Sequence, residues 1–372
     1  MKNLLAGNKL SLAVCGLVLS SSVAFAANTV DSAFKEGKAS GSLALYGEKH
    51  DFKSGTPDSG FGNGNATVAF ETASLYGFTA KAEFKGNLSL GEVEDNDYDG
   101  AYANHSLMTE AYVKYTNDAF FLSAGRQAID LEWLGDYNES VVAGITAIPD
   151  TVVVLGYTDR QAESGIDTSA DFAEITEKGA FVADVKYTGL KGLEFNPYAY
   201  SAPDAVDFYG LKTTFTADMF GVIAHYATSS VDEAIGAEDG SIGHLELNTT
   251  LAGVSAAVGY IKTDKDGGVG AMSAYGDNIS PFDTGNRTYD PDARTVYGSL
   301  GYTIADIELG ALYGVTTYGT DDAKEKELNL TAAYPITESL TTSILYGDVD
   351  EDSADADFKD DKYVLASVEY TF

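Results

Sequence analysis

The chain has 372 residues, of which 44% are hydrophobic and 12% are aromatic, and its formal net charge is −34. Such a negative charge excludes binding to nucleic acid through its phosphates, because like charges repel. The aromatic and hydrophobic content is too high for a disordered polyanion, so a folded protein is expected.

Residues 1–26 have the pattern of a secretory signal peptide. Lys2 and Lys9 form a positive start, an apolar core follows over 10–19, and the Ala-Phe-Ala at 24–26 is a small-x-small cleavage site. The core is too short for a membrane helix, which needs roughly 20 apolar residues. We therefore predict export through the Sec pathway and cleavage after Ala26.

Cleavage would change both the charge and the cysteine content of the chain. It would remove two of the 23 basic residues and none of the 57 acidic residues, which leaves a balance of −36. It would also remove Cys15, the only cysteine. The mature protein is therefore expected to be strongly acidic and free of disulfides.

The C-terminal stretch 362–372 alternates with a period of two residues, as a strand with one apolar face does. The residues on that face are Val364, Ala366, Val368, Tyr370 and Phe372, and those between them are largely polar. A terminal aromatic after such alternation also resembles the assembly signal of bacterial outer-membrane proteins.

Similar alternation predicts eighteen strands, with sixteen as the alternative. The predicted strands are 38–49, 65–75, 78–90, 107–116, 119–127, 142–149, 151–159, 179–187, 193–200, 207–217, 219–228, 241–251, 254–263, 294–304, 306–317, 326–334, 340–348 and 362–372. Short turn-forming connections alternate with long, acidic, glycine-rich ones. The long ones are 50–64, 91–106, 128–141, 160–178, 201–206, 229–240, 264–293, 318–325 and 349–361.

Sorted connections of this kind are typical of a transmembrane barrel, which has short periplasmic turns and long external loops. We predict an all-β fold in which residues 27–372 form one transmembrane antiparallel β-barrel domain in the bacterial outer membrane. The segment 27–37 is expected to be a short periplasmic piece with one helical turn. A soluble β-sandwich or β-solenoid with one solvent-exposed face is the alternative.

The sequence has no pattern that indicates catalysis. The four histidines lie in no HExxH motif, and no GxSxG motif occurs, so no enzyme activity and no catalytic residue are predicted. The glycine-rich stretch 60–65 lacks the lysine and the helix of a phosphate-binding loop, and it is predicted to be a flexible loop.

Acidic loops provide the only candidate metal ligands. Asp283, Asp290 and Asp292 in the longest loop are weak candidates for a hard-cation site. Otherwise no cofactor is expected, apart from Ca²⁺ or Mg²⁺ that bind loosely to acidic loops.

The segment 128–141 is the candidate constriction loop. It holds the only tryptophan of the chain and alternates apolar with acidic residues, which suits a loop folded into the lumen with its apolar side on the wall. Opposed charges at a constriction select permeants by charge. The predicted pore-constriction residues are Arg126, Asp130, Glu132, Trp133, Asp136 and Glu139. An external loop whose tryptophan packs on the rim is the alternative.

Two stretches carry a family resemblance: Met108-Thr-Glu-Ala-Tyr-Val-Lys-Tyr115, followed by Gly125-Arg-Gln127, and the opening Asp31-Ser-Ala-Phe-Lys-Glu-Gly-Lys-Ala-Ser-Gly-Ser-Leu-Ala-Leu-Tyr46. Both resemble the OprD-type porin family, including the campylobacterial major outer membrane proteins. The resemblance implies an eighteen-stranded barrel, commonly trimeric, whose third loop narrows the pore. In the basic-amino-acid channels of that family, a ladder of lumen arginines guides a carboxylate.

This chain has only four arginines, Arg126, Arg160, Arg287 and Arg294, so general, cation-preferring diffusion is favoured over a dedicated amino-acid channel. We therefore predict an outer-membrane porin for passive diffusion of small hydrophilic solutes and ions. The alternatives are a substrate-specific channel of the same fold and a barrel that serves mainly as a surface adhesin or structural protein. The expected partners are cations and small solutes, outer-membrane lipid and lipopolysaccharide, and two further copies in a homotrimer.

Overall fold

The computed structural model describes residues 27–53, 56–271, 276, 278–352 and 360–372. The predicted signal peptide, 1–26, lies outside the described residues and stays a prediction.

Strands make up almost all of the regular secondary structure of the described chain. Two short helices are present, α1 (Val30–Lys35) and α2 (Asp97–Ala101). The strands are β1 (Lys38–Phe52), β2 (Ser59–Glu71), β3 (Phe78–Glu92), β4 (Ser106–Thr116), β5 (Phe120–Ala128), β6 (Tyr137–Ile145), β7 (Thr151–Ala162), β8 (Ala173–Glu174), β9 (Ala180–Leu190), β10 (Leu193–Ala202), β11 (Val206–Thr216), β12 (Phe220–Val231), β13 (Ser241–Leu251), β14 (Val254–Thr263), β15 (Arg294–Ile304), β16 (Ile307–Tyr318), β17 (Ala323–Pro335), β18 (Leu340–Glu351) and β19 (Asp361–Thr371). Within the described ranges, neither helix is long and apolar enough to cross a membrane.

Eighteen long strands form one closed antiparallel barrel, and the alternative of sixteen is wrong. Each long strand pairs with its neighbours in sequence, and the two-residue β8 only extends the pairing of β7. The barrel closes where β1 pairs with β19 through eleven residue pairs, among them Leu45 with Val368. Closure leaves no strand edge unpaired, which is what a barrel in hydrocarbon requires.

Side chains alternate between an exposed apolar outer face and a polar inner face. On β13, Leu245 and Leu247 are about half exposed, while the alternating His244 and Glu246 point inward. On β17 the inward Glu327 is buried. This alternation is the one the sequence predicted, and an outward apolar belt around a closed barrel places the protein in the outer membrane.

Connections at one end of the barrel are short turns. In the turn between β13 and β14, Ala252 and Gly253 both have positive φ, 52° and 83°. Two residues of positive φ match the right-handed twist of the strands they join. Helix α1 lies at this end, because the Ala33 carbonyl accepts the Ala73 N–H at 2.9 Å, as expected for the short segment before the first strand.

The opposite end carries nine external loops, L1 to L9. Their ranges are 53–58, 93–105, 129–136, 163–179, 203–205, 232–240, 264–293, 319–322 and 352–360. L5 and L8 are shorter than predicted, because their flanking strands extend further.

Two sequence predictions about loops are wrong. The stretch 60–65, predicted to be a flexible loop, lies in β2, where glycines face outward and Asn63 and Asn65 face inward and are buried. A Cβ at Gly60 would lie 2.4 Å from the Glu48 carbonyl oxygen, so glycine permits close strand pairing there. The loop predicted at 128–141 is shorter in the structure. It is L3, residues 129–136, because β6 already begins at Tyr137.

The alternation predicts that an added charge destabilises the barrel on the outward face of β13 but has little effect on the inward face. Leu247→Arg should destabilise the barrel by about 2–4 kcal/mol, because it places a cation in hydrocarbon. The neighbouring Asn248→Arg, which faces the lumen, should change stability by less than about 1 kcal/mol. Urea unfolding of both variants from lipid bilayers measures this, and equal losses would contradict the assigned faces.

Candidate functional site

The lumen is narrowed by L3, which folds back into it as a tight hairpin. The Ile129 N–H donates to the Asp136 carbonyl, and the Leu131 N–H donates to the Leu134 carbonyl, both at 2.8 Å. Asp136 has φ of 60° at the base of the hairpin, where L3 joins β6. Apolar L3 residues pack against inward residues of the wall. The apolar cluster includes Phe121, Ile129, Leu131, Leu134, Val142, Val154 and Val182.

The tip of L3 is anchored by Trp133, which has no solvent exposure. Its indole N–H donates to the Tyr198 hydroxyl on β10 at 2.6 Å, and that hydroxyl lies 2.7 Å from His225 Nε2 on β12. A buried indole N–H without a partner is costly, so this chain of hydrogen bonds fixes the position of the loop. Trp133 therefore holds the tip of L3 against the inner wall, and its effect on permeation stays a prediction.

The L3 carboxylates differ in their surroundings. Glu132 forms an ion pair with Lys212 on β11, with 2.8 Å between Oε1 and Nζ. Burial raises the pKa of Asp130, which is also near Glu132, whereas a hydrogen bond from Asn278 lowers it. Asp130 therefore holds its proton to a higher pH than an exposed aspartate does.

Arg126 and Glu139 lie together on neighbouring strands. Their Nη2 and Oε1 atoms are 2.7 Å apart, and the Arg126 guanidinium stacks on Phe172 of L4, 4.2 Å from the ring centroid. Arg126 shares its face of β5 with the exposed Leu122. The structure thus brings two of the predicted pore residues together as a pair in the wall, apart from the L3 tip, and their role in permeation stays a prediction.

L4 is a second loop that reaches the inner wall. The Ile166 carbonyl accepts hydrogen bonds from Asn63 at 3.0 Å and from the Tyr102 hydroxyl at 2.6 Å. Lys85 on β3 donates to the Ser164 carbonyl at 2.5 Å. Burial raises the pKa of the adjacent Asp167, and this rise is partly offset by backbone donors and by the charge of Lys85.

L7 is the third loop, and it connects L3 to the opposite wall. Near its middle, Asn278 donates to the Leu131 carbonyl at 2.7 Å. Further along, the Gly285 N–H donates to Glu327 of β17 at 2.8 Å, and Tyr289 lies edge-on to Trp133 with ring centroids 6.4 Å apart.

The contact of L7 with β17 uses buried carboxylates of the wall. Both oxygens of Glu327 accept loop N–H groups, from Thr284 at 3.0 Å and from Gly285 at 2.8 Å. Glu325 accepts the Arg287 N–H at 3.3 Å. Glu325 and Glu327 are each only 2% exposed, so these charge-assisted hydrogen bonds are shielded from water and hold L7 firmly.

The predicted metal ligands of L7 do not gather into one cluster. Asp290 pairs with Arg287 at 3.2 Å and Asp292 pairs with Arg294 at 3.5 Å. Burial raises the pKa of Asp283, which lies near Glu327 and hydrogen-bonds Tyr363. Within the described part of the chain, no three His, Cys, Asp or Glu side chains are placed to hold a metal ion, and the binding of Ca²⁺ or Mg²⁺ stays a prediction.

Several residues that shape the lumen were missed by sequence reasoning. Tyr198, His225, Lys212 and Glu327 hold L3 or L7, yet none of them lies in a motif that marks a functional residue. Their inward position in the alternation was the only signal, and the position of the loops that they hold depends on contacts distant in sequence.

An eighteen-stranded outer-membrane barrel with loops such as L3, L4 and L7 folded into its lumen has the fold of a porin-type channel. Neither a family model nor a curated protein sequence matches the chain.

Solved structures of the Occ and OprD type share this fold. OccK3 (OpdO) of Pseudomonas aeruginosa is 14% identical, with a TM-score of 0.74 over 92% of this chain and 97% of that one. OccK8 (OprE) of the same organism is also 14% identical, with a TM-score of 0.74 over 92% and 99%. OccAB1 of Acinetobacter baumannii is 15% identical, with a TM-score of 0.73 over 95% and 99%. The resemblance to OprD-type porins is confirmed in the fold.

The anchor of L3 can be tested through its single tryptophan. Acrylamide should quench Trp133 fluorescence weakly in the native barrel. Tyr198→Phe leaves the indole N–H without its acceptor, which should cost about 1–3 kcal/mol and increase quenching. Tyr297→Phe is the matched control, because its hydroxyl also bonds a histidine, His244, at 2.8 Å but bonds no part of L3. Equal quenching in both variants would contradict the anchor.

Proposed function

We propose that this protein is a channel for passive diffusion of small hydrophilic solutes and ions, with a preference for cations. The observation that carries the proposal is the lumen itself, in which L3, L4 and L7 are fixed to the inner wall by buried polar contacts. Loops held in this way narrow a water-filled path to a defined width. A channel of this design needs no catalytic group, and no enzyme activity is proposed.

Fixed charges along the wall give the path its selectivity. Lys81 and Lys85 face inward on β3, while L3 carries Asp130 and Glu132 beside Lys212 on β11. Strands β3 and β11 lie far apart around the closed sheet. Lys81 pairs with Glu83 and Glu110, and Lys212 pairs with Glu132, so acids balance these lysines on each side of the lumen. The overall excess of acids in the chain then enriches cations in the path.

The arginines support general diffusion over a channel dedicated to carboxylates. Arg126 pairs with Glu139, Arg287 with Asp290 and Arg294 with Asp322. Arg160 donates to the Phe172 carbonyl. Each guanidinium is thus already bonded to an acceptor of the protein, and a ladder of arginines for a passing carboxylate is not assembled.

A substrate-specific channel of the same fold is the second candidate, because three loops enter one lumen. Specific binding would appear as saturable block of conductance by one solute, whereas general diffusion gives current that rises in proportion to solute concentration. The homotrimer stays a prediction, and the mass of the detergent-solubilised protein tests it.

Conductance in a planar bilayer under a KCl gradient tests the channel directly. Stepwise conductance with a cation-selective reversal potential is the expected result. Clean insertion without conductance would overturn the proposal and would favour a role for the external loops as an adhesin or structural surface.

Neutralising the acids of the L3 region should weaken cation preference. The variant carries Asp130→Asn, Glu132→Gln and Asp136→Asn. Its reversal potential should move toward zero, most clearly at low salt where charges are least screened. The control removes three exposed external acids instead: Glu94, Asp95 and Glu233. If both variants shift the potential equally, L3 does not determine selectivity.

Selectivity should also depend on pH through Asp130. Because its pKa is raised by burial, Asp130 takes up a proton at a higher pH than an exposed aspartate, and the path then loses a negative charge. As the solution is acidified, cation preference should therefore begin to fall at a pH above the usual pKa range of aspartate. Asp130→Asn should abolish this early part of the titration. Asp118→Asn, in an exposed turn, should leave it unchanged. An identical curve in Asp130→Asn would contradict the assignment.

A further inference from the structure

Basic side chains line the outward face of the barrel at its extracellular end, in the sector β14 to β17. Lys262 pairs directly with Arg294, Arg294 with Thr317, and Thr317 with Lys324 across the sheet. Directly opposed residues of neighbouring strands point to the same face. Since Tyr260 and Val296 on these strands are exposed to lipid, the row points outward at the upper border of the apolar belt.

Two members of this row have no ionic partner within the described chain. Lys262 and Lys324 are exposed and form no ion pair with a described residue. Arg294 between them pairs with Asp322 at 2.6 Å and with Asp292 at 3.5 Å. Three strand spacings separate the two lysines, so they lie about 14 Å apart. A chain with a net charge of −34 thus presents two lysines outside any ion pair at the level of the lipid headgroups, and the Asp352 carboxylate beside Lys324 accepts the backbone N–H of that lysine.

A groove lies beside Lys262 on the same outward face. Gly243 is the residue directly paired with Lys262, and a Cβ added there would meet nothing within 4 Å. Tyr226, Leu245 and Tyr260 line the groove with Lys262 at its border. The groove is apolar and open to the membrane, and it suits an acyl chain whose headgroup would lie at the basic row.

We propose that this surface binds the phosphorylated glycolipid of the outer leaflet, lipopolysaccharide, with phosphate at Lys262, Arg294 and Lys324 and an acyl chain along the groove at Gly243. Phosphates pair well with guanidinium and ammonium groups. Each basic residue near an anionic membrane surface adds about 1 kcal/mol of attraction. The site lies outside the lumen, so it is independent of the proposed channel function.

The test uses the full barrel in detergent and measures binding of a bis-phosphorylated, acylated glucosamine disaccharide lipid by native mass spectrometry. Lys262→Gln with Lys324→Gln should weaken binding at least about tenfold and should leave conductance unchanged. The matched control, Lys38→Gln with Lys191→Gln, removes two exposed lysines at the other end of the barrel and should bind as the wild type does. Heat modifiability on gels confirms that each variant is folded.

Two further measurements separate headgroup from acyl recognition. The dephosphorylated lipid should bind wild type and the lysine variant equally. Gly243→Phe fills the groove without changing the charge and should weaken binding of both lipids. Equal losses in the lysine variant and its control, or unchanged binding in the lysine variant, would overturn the proposal. Unchanged binding in Gly243→Phe would contradict the assignment of the acyl chain to the groove.

Discussion

The absence of water from the hydrocarbon layer is the constraint on which the rest of this structure depends. Backbone groups there can bond only to each other, so the sheet must close, and β1 must meet β19. Closure then fixes which way every side chain points. Outward positions must be apolar, and inward positions are free to hold the polar groups that receive the loops.

The lumen is organised by long-range polar contacts and not by the loops alone. Trp133 is held by Tyr198 and His225 from strands distant in sequence, and Gly285 is held by Glu327. Burial strengthens these bonds and makes the loss of either partner costly. L3 and L7 also bond to each other through Asn278 and Leu131, so the width of the path is a joint property of two loops and several strands.

Much of the fold could be predicted from sequence because a barrel strand obeys a local rule. The strand at 254–263 was located to the residue, since Val254, Val258 and Tyr260 fall on one face. The start of β6 was missed, because Asn138 and Glu139 look like loop residues unless the neighbouring strand is known. Trp133 was singled out by its unusual apolar and acidic surroundings, and the structure places it, fully buried, at the tip of L3; its role at a constriction stays a prediction. Its partners could not be found, because Tyr198 and His225 are brought to it only by the curvature of the closed sheet.

The way L7 is held has a consequence for how the sequence can vary over time. At the contact with β17, the loop offers main-chain N–H groups of Thr284, Gly285 and Arg287, while the wall offers the carboxylates of Glu325 and Glu327. Main-chain donors persist whatever side chains the loop carries, proline excepted. The external surface can therefore change its chemistry, for example under attack by antibodies or phages, while two acidic residues inside the barrel keep the passage at the same width.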